Sequence, residues 1–509
     1  MRSSDSISRR DFLKLVSLLP VTYTMQPLMK LSRSPADAQT PNVIVIVFDA
    51  WSANHLSFYG YPRRTMPNLE RFMQKATIYH NHYAAGTFTV PGTASLLTGL
   101  YPWTHRALSL SGGIIKSHME HQAFAAFSKT HSTLAYTQNK FADILLYQAS
   151  KYLDTHLKAN AFHLGHRSFY NLPIFHKDSQ VAFASLDDNV FLDGSDHVSS
   201  LFINPIYRLL QMDHEQANTI HYENDYPIGL PNDTAQFLLS DVVDGAIEIL
   251  QNLLEPSFAY LHFYPPHEGY APEQKFFNTF SGGWQPPEKP IHRLSWLKSP
   301  YSTLNPLNQA YDEYIASWDD ELGRVFDYLS SSGLLERSYV VITADHGELN
   351  ERGEEGHFTP LIFDPLIHIP LIISQPGQQN RKDIHTPTNS VDVLPTLAHL
   401  VGNPIPDWAE GVLLPGFGGV DDLQRSIYTM DAKTNSAFKP LTNLSLSLSR
   451  AGKRLTYYSY GNDRQFEFYD LNQDPQELKD LYPSQPAVAR SMREELLDRL
   501  ADVNRGNTE

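Results

Sequence analysis

The sequence predicts an α/β protein with a mostly parallel sheet, and two observations lead to this fold class. First, four runs are almost continuously apolar or β-branched, which is typical of strands buried on both faces: Asn42–Phe48, Ser257–Phe263, 338–343 and 369–374. Second, helical patterns lie between these runs. Strands that alternate with helices favour a parallel sheet covered by helices on both faces.

Two of these helices are predicted from apolar spacing and from their end signals. Residues 310–333 place one apolar stripe on a single face and end at Gly333, a good C-terminal stop. The stripe consists of Tyr314, Trp318, Leu322, Val325 and Leu329. For the second helix, we expect Ser390 to be the N-cap and Gly402 to end it.

Length and composition exclude several classes of protein and site. At 509 residues the chain is long for one core, so two or more lobes are expected. The formal net charge of −16 argues against nonspecific nucleic-acid binding. The chain has no cysteine, which rules out disulfides, zinc-thiolate sites and thiol nucleophiles. Any metal must therefore be held by oxygen and imidazole ligands.

The first residues have the pattern of an export signal. Residues 8–14 read SRRDFLK, an uncharged stretch follows over 15–29, and ADA stands at 36–38. This arrangement resembles a twin-arginine signal peptide with its cleavage site, which we place at residues 1–38. The uncharged stretch is too short and too proline-broken to span a membrane; the alternative is a disordered basic tail. We expect an exported protein, periplasmic or extracellular, which the twin-arginine translocation machinery carries in folded form and without a transmembrane segment after cleavage.

Acidic and imidazole side chains follow three of the predicted strands. Asp49 comes directly after the first run, Asp345 and His346 follow the third, and His267 follows the second across a short turn. Each alone has an ordinary structural explanation, such as a helix cap or a surface loop. Because the carboxyl ends of parallel strands meet at one edge of a sheet, where α/β proteins place their sites, we expect these four side chains to lie together.

Beside Asp49, six stretches stand in a distinctive order: TVPGTASLLTG, YPPHEGY, TADHGE, GHFTP, IHIPLII and FYDLNQDPQEL. In order and spacing they resemble the sulfatase family of the alkaline phosphatase superfamily. The resemblance covers roughly residues 41–142 and 256–481, so that 143–255 is expected to be an insertion. It implies a doubly wound sheet in a catalytic domain over 41–421 and a smaller α+β subdomain over 422–509.

The resemblance places Thr89, the first residue of TVPGTASLLTG, at the family's nucleophile position. Sulfatases carry there a cysteine or serine that is oxidised to formylglycine, and threonine cannot form that aldehyde. Threonine is the nucleophile in superfamily relatives that cleave or transfer phosphoesters. A hydroxyl at a helix N-terminus also lies at the positive end of the helix dipole. The alternative role of Thr89 is that of a helix N-cap.

Other departures from the sulfatase pattern point the same way. Ala50 stands where many sulfatases have a second aspartate, and Thr93 stands where an arginine is expected. The lysine expected after DHGE is missing, since no lysine occurs between residues 338 and 381. The resemblance then implies one divalent ion, zinc, manganese or calcium, held by four residues: Asp49, Thr89, Asp345 and His346.

Three further residues complete the site that the resemblance implies. His267 would protonate the leaving oxygen or orient the substrate. His357, after the DHGE motif, would stabilise the equatorial oxygens or bind the metal. Lys140 matches a lysine of the family that faces the substrate. The two histidines have the alternative of being ordinary hydrogen-bonded loop residues.

The expected function is therefore metal-dependent cleavage or transfer of a phosphoester or phosphodiester. Thr89 would attack phosphorus in line and form a phospho-threonine, which water or an acceptor alcohol releases. The substrate would be a small-molecule, lipid or glycan ester. Two alternatives stay open: a sulfuric ester hydrolase that works without formylglycine, and a non-catalytic exported binding protein that keeps the fold.

Overall fold

The computed structural model describes residues 40–164, 214–232 and 236–505. The signal peptide expected at residues 1–38 lies outside these ranges. The strands are β1 (Asn42–Phe48), β2 (Thr77–Tyr79), β3 (His82–Tyr83), β4 (Ser132–Thr137), β5 (Thr155–Leu157), β6 (Ser257–Phe263), β7 (Ser338–Ala344), β8 (Leu371–Ser374), β9 (Lys382–Ile384), β10 (Thr388–Asn389), β11 (Ile427–Asp431), β12 (Leu444–Arg450), β13 (Lys453–Tyr460) and β14 (Asp463–Asp470).

The helices connect these strands and cover the sheets. They are α1 (Pro67–Phe72), α2 (Thr89–Thr98), α3 (Pro102–His105), α4 (Ala123–Phe127), α5 (Lys140–Gln148), α6 (Leu239–Gln251), α7 (Tyr301–Ser331), α8 (Asp364–Ile367), α9 (Val393–Leu400) and α10 (Arg490–Arg505). Among the described residues, no helix combines the length and the apolar character that a membrane span needs.

The main sheet has eight strands in the order β5–β4–β6–β1–β7–β8–β2–β9. The five strands from β5 to β7 are parallel, and β8 runs antiparallel to both β7 and β2. The last residue of β1, Phe48, lies beside the last residues of β6 and β7, Phe263 and Ala344. The prediction of a mostly parallel sheet is confirmed, and three of its carboxyl ends meet at one edge.

Helices cover both faces of this sheet, because the central strands carry mostly apolar residues on both of their faces. Ile44, Ile46 and Phe48 of β1 pack with residues of α6 and α7. Alternate side chains of the same strand, such as Val45 and Val47, pack with α2 and α9 on the opposite face. This doubly wound arrangement is the predicted one.

The expected insertion over 143–255 needs a correction at both of its ends. Strand β5 pairs in parallel with β4 and extends the main sheet. Helix α6 buries an apolar stripe that includes Val242, Val243 and Ile249 in the core under the sheet. Both ends of the range therefore belong to the α/β layer. Sequence comparison by motif missed them, since they carry core residues and no motif.

The two predicted helices are present, with different ends. The first is α7, which begins at Tyr301 and is followed by Gly333 with φ +71°. In the second, Ser390 is not the N-cap. Asn389 accepts a hydrogen bond from the Val391 amide and caps a 3₁₀ turn, Ser390–Asp392, which leads into α9. The Ser390 hydroxyl instead accepts a hydrogen bond from the amide of Ala85.

The C-terminal part forms its own antiparallel sheet in the order β11–β12–β13–β14. Helix α10 packs on it through Met492 and Leu496, which lie in one apolar cluster with residues of β12 and β13. The expected α+β subdomain beside the doubly wound sheet is thus present.

Candidate active site

Asp49, Asp345 and His346 meet at the carboxyl ends of β1 and β7, and all three are fully buried. The Asp345 carboxylate accepts hydrogen bonds from two backbone amides, that of His346 at 2.9 Å and that of Ala50 at 3.4 Å. The His346 Nε2 atom lies 3.3 Å from Asp49 Oδ1 and 3.7 Å from Asp345 Oδ2. The sequence prediction that these residues converge is confirmed.

Thr89 is the first residue of α2, and its hydroxyl points to the same group. Its Oγ1 atom lies 3.4 Å from His346 Nε2 and 3.3 Å from Asn139 Nδ2. The alternative of a capping role is wrong, because the N-cap position is Phe88 and no side chain caps this helix. The hydroxyl thus lies at the positive end of the helix and accepts no hydrogen bond from the backbone amides of the first helical turn.

Gly92 allows the helix of Thr89 to approach the strand that carries Asp345. A Cβ atom at position 92 would lie 2.3 Å from the backbone oxygen of Asp345, which no side chain tolerates. Thr93, where a sulfatase arginine was expected, places its hydroxyl 3.4 Å from Asp345 Oδ2. The small residues of the TVPGT stretch therefore bring the hydroxyl and the carboxylates together.

The QNK stretch predicts a site residue at Lys140, but its neighbour Asn139, which was not predicted, is the residue that contacts Asp49. The Asn139 amide donates a hydrogen bond of 2.6 Å to Asp49 Oδ2, while its carbonyl oxygen caps α5. Its place just after β4 is a signal that could have revealed it. Lys140 is the first residue of α5, with its ammonium 5.3 Å from the ring centroid of Phe141. Substrate binding by Lys140 stays a prediction.

His262 is a second residue that the sequence analysis missed, because it lies within β6 and not after it. Its Nε2 atom is 3.7 Å from Asp49 Oδ2 and 3.8 Å from Asp345 Oδ2. The Tyr260 hydroxyl, two residues earlier on the same face of the strand, lies 3.3 Å from the other ring nitrogen. The sequence does contain a signal for this residue, because a histidine near the carboxyl end of a mostly apolar strand is unusual.

The pKa values in the site are governed by two buried carboxylates, Asp49 and Asp345, that lie close to each other. Burial raises the pKa of Asp345, and the charge of Asp49 raises it further. Burial would also raise the pKa of Asp49, but the facing imidazoles of His267, His346 and His262 hold it well below its usual range. The two carboxylates raise the pKa of His346 to about 9 although burial opposes this. The arrangement is therefore one that attracts positive charge.

His267 and His357 border this group, as predicted. Their ring centroids are 4.6 Å apart, and the His357 ring is 4.4 Å from that of His346. The Nδ1 atom of His357 lies 3.0 Å from a carboxylate oxygen of Glu348, the glutamate of the DHGE stretch, which orients the ring. Burial and the nearby His346 lower the pKa of His357 to about 4, so this imidazole is neutral at pH 7.

The residues fit a divalent metal ion. One ligand atom each from Asp49, His262 and Asp345 lies within 4.8 Å of the others, and all three residues are buried. Asp49 Oδ1 and His262 Nε2 have no hydrogen-bond partner within the described part of the chain. Buried polar atoms without partners are rare, and carboxylate and imidazole donors suit zinc, manganese and related ions.

Family models agree with this geometry. A model described as "Sulfatase" matches residues 41–403, and one described as "N-sulphoglucosamine sulphohydrolase, C-terminal" matches residues 353–505. The bounds of the first match include residues 143–255, at both ends of which the structure has core elements.

Several curated proteins are similar in sequence. The ulvan-active sulfatase of Formosa agariphila is 24% identical over 73% of this chain and 63% of its own length. The N-acetylgalactosamine-6-O-sulfatase of Bacteroides thetaiotaomicron is 21% identical over 90% of this chain and 93% of its own. A multifunctional alkaline phosphatase superfamily protein of Trinickia caryophylli is 21% identical over 89% and 93%, respectively.

Solved structures show the same fold. The phosphonate monoester hydrolase of Agrobacterium radiobacter superposes with a TM-score of 0.65 at 17% identity, covering 91% of this chain and 96% of that one. A protein solved in complex with its substrate D-glucosamine-2-N,6-O-disulfate gives a TM-score of 0.63 at 16% identity, covering 92% and 98%.

Proposed function

Because this chain belongs to the sulfatase family, as a hydrolase of esters within the alkaline phosphatase superfamily, we propose that it cleaves or transfers a phosphoester or phosphodiester through Thr89. The observation that carries the proposal is the environment of the Thr89 hydroxyl. It stands at a helix N-terminus, makes no capping bond and lies within 3.4 Å of His346. Threonine cannot supply the formylglycine of the sulfatase reaction, but it can form a phosphate ester.

The mechanism also requires a metal, for which the chain offers five donors: Asp49, Thr89, His262, Asp345 and His346. A divalent ion bound there would stabilise negative charge on the nucleophile and on the transferred group. The Asn139 amide contacts both Asp49 and Thr89, and so it fixes the hydroxyl relative to the carboxylates. A change that displaces Asn139 would therefore disturb both.

The covalent steps can be written for the chain's own residues. The Thr89 hydroxyl loses its proton to solvent, which a bound divalent ion would favour, and its oxygen forms a bond to phosphorus while the bond from phosphorus to the leaving oxygen breaks; His267 gives that leaving oxygen a proton. Water or an alcohol then returns a proton to His267 as it attacks phosphorus, the bond from phosphorus to the Thr89 oxygen breaks, and this oxygen takes up a proton from solvent. We assign to His357, oriented by Glu348, a hydrogen bond to the oxygens of the phosphoryl group.

Sulfuric ester hydrolysis without formylglycine is the second candidate, favoured by the sulfatases among the relatives. The buried cluster argues against the third reading, a non-catalytic binding protein. A fold kept only for binding has no physical need to retain two neighbouring buried carboxylates beside a hydroxyl that caps no helix, because the burial of two like charges costs stability.

A panel of 4-nitrophenyl esters separates phosphate from sulfate chemistry. With metal supplied, we expect release of nitrophenol from a phosphate monoester, a phosphate diester or a phenylphosphonate at a kcat/KM at least about 100-fold above that for 4-nitrophenyl sulfate. The reason is that the threonine can be phosphorylated and released by water. A preference for the sulfate ester would replace the proposal by the second candidate.

We also propose export by the twin-arginine route, on the strength of the SRRDFLK stretch. Replacement of Arg9 and Arg10 together by lysine should leave the full-length precursor in the cytoplasm, because that route reads the arginine pair itself and not its charge. Cell fractionation with an antibody measures this. Arg2→Lys with Arg33→Lys is the matched control and should not alter delivery; normal delivery of the Arg9/Arg10 variant would contradict the proposal.

A further inference from the structure

Two large aromatic side chains stand exposed beside the candidate active site. Trp296 is 50% exposed and Phe358 is 44% exposed, and their ring centroids are 6.4 Å apart. Phe88, fully buried, lies under Phe358 at 5.8 Å. We call these three residues the aromatic rim. Exposed apolar surface of this kind on a soluble protein commonly marks a place where something binds.

Two residues of the rim are sequence neighbours of residues in the candidate active site. Phe88 directly precedes Thr89, and Phe358 directly follows His357, whose ring is 4.4 Å from that of His346. A substrate with its phosphoryl group at Thr89 has its remaining part outside the buried carboxylates. The aromatic rim thus adjoins both the proposed nucleophile and the histidine beside it, within reach of that remaining part.

The rim is held rigidly, as a preformed binding surface should be. The Trp296 amide donates to the carboxylate of Glu354, and the backbone oxygen of Gly353 accepts hydrogen bonds from the Ser295 hydroxyl and the Ser299 amide, each at 2.9 Å. The loop of Trp296 is therefore fastened to the loop that leads from the DHGE motif to Phe358.

A lysine just after β11 contacts all three rings of the rim. The ammonium of Lys433 lies 4.9 Å from the ring centroid of Phe358, 5.2 Å from that of Trp296 and 5.6 Å from that of Phe88. Its side chain is only 4% exposed and its charge is paired with Asp431 at 2.9 Å. Since this charge is already compensated, the exposed faces of the rim present apolar surface and no net charge.

We propose that the aromatic rim binds the leaving group of the substrate, and that this group is an uncharged ring. An aryl group and the apolar face of a sugar ring share the flat surface that stacks on tryptophan and phenylalanine. The inference rests on the proposed function for the position of the reacting group. It goes further by giving the substrate a ring and by assigning its recognition to Trp296 and Phe358.

The test compares ring-bearing and open-chain esters in Trp296→Ala and Phe358→Ala. The acid group is the one that the parent protein hydrolyses, carried by 4-nitrophenol, by glucose or by ethanol, and the released anion is measured by ion chromatography. Comparing each variant with the parent on the same ester cancels the different reactivity of the leaving groups. We expect kcat/KM to fall about tenfold for a ring ester, mainly through KM, and less than about twofold for the ethyl ester.

The pattern of losses decides between the outcomes. A loss for the 4-nitrophenyl ester alone assigns the rim to aryl groups, and a loss for the glucose ester alone assigns it to sugars; both support the proposal. Equal losses on all three esters, or none, overturn it. Trp284→Ala and Phe438→Ala, at residues 41% and 81% exposed outside the rim, are the matched controls and should behave as the parent. A parent that hydrolyses only sulfate esters overturns the phosphoester proposal and still allows this comparison.

Discussion

Replacement of Thr89 by alanine is expected to abolish turnover and to leave the protein folded. As the nucleophile, its oxygen has no substitute in the site, so kcat should fall on the order of 10³-fold or more. The stability should change by only about 1 kcal/mol, since the hydroxyl makes two long contacts and no capping bond. Steady-state kinetics, thermal unfolding and bound metal, measured on the same preparation, separate these effects.

Two variants make the Thr89 result decisive. Thr89→Ser keeps the hydroxyl and should retain part of the activity. Thr98→Ala, at the other end of the same helix, removes a buried hydroxyl that bonds to the Ala94 backbone oxygen and should leave kcat unchanged. If Thr89→Ala turned over at the parent rate, the chemistry would lie elsewhere. With Thr89 intact, a phosphorylated threonine trapped by rapid acid quench would identify the intermediate directly.

Asp345→Asn is expected to lose both the bound metal and the activity. The variant keeps the oxygen that accepts the amide hydrogen bonds of Ala50 and His346, and it removes the charge that faces Asp49 and His262. Removing an anionic ligand should lower metal affinity by more than about 100-fold, the upper end of what outer-shell changes cost. Metal content by mass spectrometry and competition with a chromogenic chelator measure this loss.

Asp319→Asn provides the matched control for Asp345. Asp319 is also a buried aspartate that accepts two backbone amide hydrogen bonds, from Asn68 and Leu69 of α1, but it lies in α7 and is not among the residues grouped around Asp49 and Asp345. The Asp319→Asn variant should bind metal as tightly as the parent protein does. One equivalent of metal held by Asp345→Asn as tightly as by the parent would show that Asp345 is not a ligand.

The sequence by itself determined the fold class and the placement of the main acidic residues. Continuous apolar runs such as Asn42–Phe48 form strands buried on both faces, because their β-branched residues favour strands and a central position in a sheet hides every side chain. The strand-end rule then brought Asp49 and Asp345 together without any knowledge of contacts, since parallel neighbours end at the same edge. The first residue after a strand is visible in the sequence, and so these positions could be predicted.

Only the tertiary structure decided which other side chains join the carboxylates. Asn139 and His262 were missed because their roles depend on the register of β4 and β6 beside β1, which fixes the direction of each side chain. The same holds for the absence of a cap at Thr89 and for the meeting of Phe88, Trp296, Phe358 and Lys433, which come from four separate parts of the chain. Local patterns specify strands and helices through short-range preferences, whereas a site requires distances between remote residues, and those are set by packing.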